Sequence, residues 1–168
     1  AEPSKKDRRM YQRVDLPDRQ WPNNEINQAP IWMSTDLRDG NQAIFEPMNM
    51  DQKLKMFHML VKIGFKHIEI GFPSASQIDF DFTRKLIEEN LIPDDVYIEV
   101  LVQARDHLIE RTFESLVGAK RAIVHIYNAN SPTFRNKVLN VDVEGAKQLA
   151  INAATKVKEY AAKQPETE

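Results

Sequence analysis

Four short apolar runs, each followed by a stretch with helical spacing, constrain this chain more than any other feature. They are Ile31-Trp32-Met33-Ser34, His67-Ile68-Glu69-Ile70-Gly71, Tyr97-Ile98-Glu99-Val100-Leu101-Val102 and Ala122-Ile123-Val124-His125-Ile126-Tyr127. After each, apolar residues recur at three- and four-residue steps, the period of a helix with one buried face. Strand–helix alternation implies parallel strands joined by right-handed crossovers. Two architectures satisfy that rule: the first half of an eight-stranded barrel, or a small open doubly wound sheet. The five glycines are scattered singly, and none builds a phosphate-cradling loop, which weighs against a dinucleotide-binding open sheet. The expected fold class is α/β, the first four βα units of a TIM (β/α)8 barrel preceded by an extended N-terminal arm. Such a half barrel leaves two strand edges and one sheet face uncovered, so alone it should be marginal or associating.

The helices can be placed in more detail. The first runs from about Met50 to Ile63. Asn49 caps it, Gln52 answers as in a capping box, Leu54, Phe57, Leu60 and Val61 face inward, and Gly64 stops it. The second follows Phe72-Pro73-Ser74-Ala75-Ser76 and runs to about Glu89, with Ser74 or Ser76 as cap. Ile78, Phe82, Leu86 and Ile87 are its apolar stripe and Asn90 its stop. In the third, Asp106 is the cap, Leu108, Ile109, Phe113, Leu116 and Val117 pack, and Gly118 ends it. A looser stretch from Asn128 to Asp142 precedes the fourth, from about Val143 to Lys163. Its inward residues are Ala146, Leu149, Ala150, Ala153, Val157 and Tyr160.

Residues 1–30 show little periodicity and carry Pro3, Pro17, Pro22 and Pro30. They read as an extended arm with Trp21 and Ile26 as docking anchors. The expected division is an arm over 1–30 and the N-terminal half of a barrel catalytic domain over 31–168. The chain begins Ala-Glu-Pro-Ser without a signal-peptide pattern and stops straight after a helix, so both ends read as cuts or processing points in a longer chain. A net charge of -2 gives no electrostatic reason to expect nucleic acid or an anionic membrane as partner. With no cysteine there is neither a disulfide framework nor a thiolate metal site. No apolar run approaches the roughly 20 residues that span a bilayer.

Chemistry is expected where loops at the C-terminal strand ends converge. Ser34-Thr35-Asp36-Leu37-Arg38-Asp39-Gly40-Asn41-Gln42 occupies that position after the first strand. Adjacent residues on an extended backbone point apart, so Arg38 can take a substrate while Asp39 takes a divalent metal. Carboxylate oxygen suits Mg²⁺, Mn²⁺ or Zn²⁺. The plainer alternative is a surface turn with a local ion pair, since Asp-Gly is a common turn dipeptide. His125 is either a hydrogen-bonded core histidine or a donor to an anionic substrate, and Tyr127 shares its face. Glu69 faces away from Ile68 and Ile70 and needs a partner, either Arg38 or the metal's surroundings. His58, His67 and His107 read as surface groups, and Met50, Met56 and Met59 as packing.

Several stretches then show a resemblance. Pro30 to Ala43, with the string Asp36-Leu37-Arg38-Asp39-Gly40-Asn41-Gln42, resembles the opening strand of the 2-isopropylmalate synthases, especially the form with a long N-terminal arm. Ile68 to Ser76 with Asp79-Phe80-Asp81-Phe82, Ile92-Pro93-Asp94-Asp95-Val96 and Arg121 to Asn128 are similar to that family too. So is Leu16 to Pro22 in the arm. The likeness covers about residues 14–165.

The resemblance implies a metal-dependent Claisen condensation of acetyl-CoA with 2-oxoisovalerate, giving 2-isopropylmalate and CoA in leucine biosynthesis. It implies Asp39 as a metal ligand and Arg38 as the catalytic arginine that meets substrate oxygen charge. It also implies His125 as a keto-acid-binding residue, with Gln42 and Tyr127 as further substrate neighbours. It implies a homodimer at full length, with no nucleic acid or membrane partner, in the cytoplasm or, in a fungus, the mitochondrion. The family's metal site is completed by a His-X-His pair, and no such pair occurs here. The chain should therefore be an N-terminal piece, inactive or nearly so alone. Two alternatives stand beside this reading: a sibling acting on another 2-oxo acid, such as a citramalate or homocitrate synthase, and a non-catalytic half-barrel scaffold.

Overall fold

The computed structural model describes residues 17–18 and 28–164. The arm, with Trp21 and Ile26, lies almost wholly outside them. The chain divides between Pro30 and Ile31, and every element below belongs to the second unit.

Four strands form one sheet in the order β1 (Met33–Ser34), β2 (His67–Gly71), β3 (Tyr97–Gln103) and β4 (Ala122–Tyr127). All three neighbouring pairs are parallel. The order runs one way with no reversal, unlike a doubly wound sheet, where a switch point breaks the sequence. The described elements are the first four βα units of a barrel. The helices are α1 (Asn41–Ala43), α2 (Met50–Ile63), α3 (Gln77–Glu88), α4 (Asp106–Leu116), α5 (Pro132–Phe134) and α6 (Val143–Ala161). No described helix is long and apolar enough to cross a membrane.

Local chemistry explains the boundaries. Asn49 accepts from the Gln52 backbone N–H at 3.0 Å while the Gln52 side chain accepts from the Asn49 N–H at 3.0 Å. This is the expected capping box, a motif in which the cap alone contributes about 1 kcal/mol. Gly64 closes α2 at φ 109, a left-handed conformation that costs glycine little. Ser76 is the cap of α3. Asn90 takes φ 52 just beyond that helix.

Alternation along the strands separates two faces. Ile68, Ile70, Ile98 and Val100 pack with Phe57, Leu60, Phe82 and Leu86 in one buried cluster beneath the helices. Val102 joins Ile109, Phe113 and Ala153 in a second. Each large apolar side chain buried this way contributes about 1.5–3 kcal/mol before the entropy of ordering is subtracted. The other face carries Glu69, Glu99, Leu101, His125 and Tyr127, as the register Glu69↔Glu99 and Leu101↔His125 requires.

Several expectations need correction. β1 is two residues long, because only Met33 and Ser34 find partners, His67 and Ile68. Ile31 and Trp32 are exposed. Arg105, extended at φ -139, takes the cap position of α4, so Asp106 is inside the first turn and caps nothing. Ile78, Val117 and Ala150 face solvent instead of the core. The stretch after Asn128 contains α5 and a π-helical turn, Arg135–Leu139. α6 ends at Ala161, short of Lys163.

Candidate active site

The segment after β1 is helical where an extended loop is expected. Asp36–Gly40 forms a π-helical turn that runs into α1. Leu37 anchors it, fully buried among the core residues under α2. The Arg38 and Gly40 backbone N–H groups both donate to the Thr35 carbonyl at 3.2 Å. Asn41 Oδ1 accepts from the Met48 N–H at 2.7 Å and ties the far end down. Gly40 itself sits at φ -61, so its backbone makes no demand for glycine.

This geometry corrects the expectation that Arg38 and Asp39 point apart. On the helical turn their side chains meet, and Arg38 Nη1 pairs with Asp39 Oδ1. Arg38 also reaches across to β2, where its Nε lies 2.6 Å from Glu69 Oε1. The guanidinium is thus held between two carboxylates. Burial works against its charge, but Glu69 and Asp39 outweigh burial and raise the Arg38 pKa. The local ion pair of the plainer reading is present, yet one of its members is buried against the sheet.

Glu69 is completely buried. Burial pushes its pKa up; Arg38 pulls it back, and the Glu99 and Asp39 charges push it further up. Its contact with Arg38 is one of charge without hydrogen-bond alignment, and Oε2 has no hydrogen-bond partner among the described residues. Directly opposite on β3 stands Glu99, whose Oε1 lies 3.0 Å from His125 Nδ1 on β4. The His125 side chain is 48% exposed, so it is no core histidine. Its free ring edge opens on the same face as Tyr127, whose ring meets Phe72 edge-on at 6.4 Å.

A continuous line of charged and ionisable side chains therefore crosses the sheet: Asp39, Arg38, Glu69, Glu99, His125. Ligand atoms of Glu69, Glu99 and His125 all lie within 4.8 Å of one another. Two carboxylates and an imidazole form a donor set that a divalent cation accepts, and the orphaned Glu69 oxygen is the atom that most needs one. Asp39, with a side chain 54% exposed, stands at the outer end of the line.

Of the residues singled out from sequence, Arg38, Asp39, Glu69 and His125 come together, with Tyr127 on the same face. Gln42 is exposed on α1, and no hydrogen bond or ion pair among the described residues ties it to the cluster. Glu99 was not singled out, although the repeat Ile68-Glu69-Ile70 and Ile98-Glu99-Val100 on successive strands carried the signal. Lys53 was missed as well. It is buried in α2 and pairs with Asp79 of α3.

Comparison with known proteins agrees with this architecture. The chain is 64% identical over 164 residues to a 2-isopropylmalate synthase of Alcanivorax borkumensis, covering 96% of this chain and 29% of that protein. It is 63% identical over 159 residues to one of Parvibaculum lavamentivorans, covering 95% of this chain and 28% of that protein. It is 58% identical over 166 residues to one of Pseudomonas putida, covering 99% of this chain and 30% of that protein. The chain thus spans less than a third of the length of these relatives. The sequence pattern of the HMGL-like family matches residues 29–166, and the chain belongs to that family.

Proposed function

We propose that this chain supplies the opening half of the catalytic barrel of a 2-isopropylmalate synthase, with residues 1–30 as an arm ahead of it. The whole enzyme condenses acetyl-CoA with 2-oxoisovalerate and releases 2-isopropylmalate and CoA. The observation that carries the reading is Arg38, gripped by Asp39 and Glu69 at the strand ends of a chain with 64% identity to a relative of that name.

Asp39, at the exposed end of the charge line, would contribute a carboxylate to a divalent cation, Mg²⁺, Mn²⁺ or Zn²⁺, together with ligands from the remainder of the barrel. When bound, the cation polarises the keto-acid carbonyl. Arg38 binds the same substrate and is the catalytic residue in this half. Its fork stays charged at every working pH and meets the oxygen charge that develops as the new carbon–carbon bond forms. Glu69 sets the direction of that fork. His125, oriented through Nδ1 by Glu99, turns its other nitrogen to the keto-acid carboxylate, and Tyr127 walls the same pocket. Gln42 is a further substrate neighbour in this reading. The assembly is a homodimer at full length.

The test is release of free CoA thiol by the full-length protein carrying this chain. Release that requires both acetyl-CoA and 2-oxoisovalerate is the expected result. No release with any 2-oxo acid would sink the reading, and release dominated by pyruvate would move it to a citramalate synthase.

A further inference from the structure

Lysine is almost never fully buried, yet Lys53 of α2 is 1% exposed. Its ammonium pairs with Asp79 Oδ1 in the first turn of α3 and lies 5.5 Å from the centre of the Phe82 ring. The second oxygen of the same carboxylate, Oδ2, accepts the Phe72 backbone N–H at 2.8 Å. Phe72 is the first residue after β2. The residue before it, Gly71, is at φ +153, and a Cβ there would stand 2.6 Å from Asp79 Cγ. Glycine at 71 is therefore what lets the carboxylate close on the chain. The pairing of β2 with β3 slips between Glu69 and Gly71, so the strand bends at this point.

We propose that Lys53 and Asp79 are a positioning pair for the end of β2. Lys53 neutralises Asp79 in the core, and Asp79 holds the bend through the Phe72 N–H. That hold aims Glu69 at Arg38 on one side and seats Phe72 against Tyr127 on the other. The pair touches no substrate. A buried ion pair is a poor source of stability, and its replacement by apolar residues is often neutral. The specific task here is the third contact, from carboxylate to backbone.

The role in turnover rests on the proposed synthase activity, and the test separates the two. In the full-length protein, Lys53→Met/Asp79→Asn removes both charges but keeps an oxygen for the Phe72 N–H. Lys53→Met/Asp79→Leu removes the oxygen too. Expected are similar melting temperatures, with kcat about 10- to 100-fold lower in the Leu variant than in the Asn variant. The Michaelis constant for the keto acid should move much less, and exchange at the Phe72 amide should be faster in the Leu variant. Given an active wild-type protein, equal kcat in the two variants overturns the positioning role. Should neither variant fold, exchange in the wild-type protein decides: a Phe72 amide as unprotected as an exposed loop overturns the anchor. A wild-type protein without turnover removes the synthase reading alone and leaves the exchange measurement in force.

Discussion

Glu69 and Glu99 are register partners on β2 and β3, and both carboxylates are buried on the face turned away from the helices. Two carboxylates in that position repel when both are ionised; Arg38 pairs with Glu69, and His125 Nδ1 lies 3.0 Å from Glu99 Oε1. The consequence for Glu69 is a pKa raised above the ordinary 4.5, first by burial. Below the ordinary value the side chain is protonated in both folded and unfolded chains. As pH rises, the unfolded chain gives up its proton first, so this group's contribution to stability falls until pH passes the folded pKa. Glu69→Gln cannot ionise and escapes that loss. In the presence of EDTA it should be more stable than wild type at pH 7, with the gap closing toward pH 4. Chemical denaturation at a series of pH values checks this, and a gap that widens toward acid would contradict it.

Metal binding tests the outer end of the charge line against its interior. Asp39→Ala should remove tight binding of a divalent cation in the full-length protein. Glu99→Gln should weaken it much less, because Glu99 is occupied by His125. Calorimetric titration with Mn²⁺ and Zn²⁺ reads both. The reverse order of effects would move the cation inward, to Glu69, Glu99 and His125.

Arg38 separates charge from shape. Arg38→Ala should lower kcat by about 100-fold or more, since the guanidinium is needed most after oxygen charge has developed. Arg38→Lys keeps the charge but cannot span Asp39 and Glu69 with one planar fork, so it should rescue only part of the loss. An effect confined to the Michaelis constant of the keto acid would assign Arg38 to ground-state binding.

The repeating units were legible because strand and helix periods differ and the first three long helices carry stop signals at Gly64, Asn90 and Gly118. The bounds of α2 and β4 follow directly from Asn49, Gly64 and the run Ala122–Tyr127. Long-range pairing was not legible. Lys53 looks like any surface lysine until Asp79, 26 residues further on, arrives on the neighbouring helix. The meeting of Arg38 with Asp39 was legible only as the plainer alternative, a turn with a local ion pair, for a different reason. Asp36–Gly40 is a π-helical turn with Leu37 buried beneath it, and on a helical backbone neighbouring side chains diverge less than on a strand. Glu69 facing Arg38 was readable, since period-two alternation in β2 sets that carboxylate opposite Ile68 and Ile70.

His125 gives the sharpest separation between a structural and a functional role. Its side chain is half exposed and its only described hydrogen bond is to Glu99, so its removal leaves no large cavity. His125→Ala should therefore change the melting temperature little. The exposed ring nitrogen is the proposed contact to the keto-acid carboxylate, a charge-assisted bond that typically contributes about 1.5–3 kcal/mol. Its loss should raise the Michaelis constant for the keto acid roughly 10- to 100-fold, with that for acetyl-CoA nearly unchanged. His125→Gln, which retains a donor near the same place, should recover part of the affinity. Unchanged keto-acid affinity in His125→Ala would leave His125 as a partner of Glu99 and nothing more.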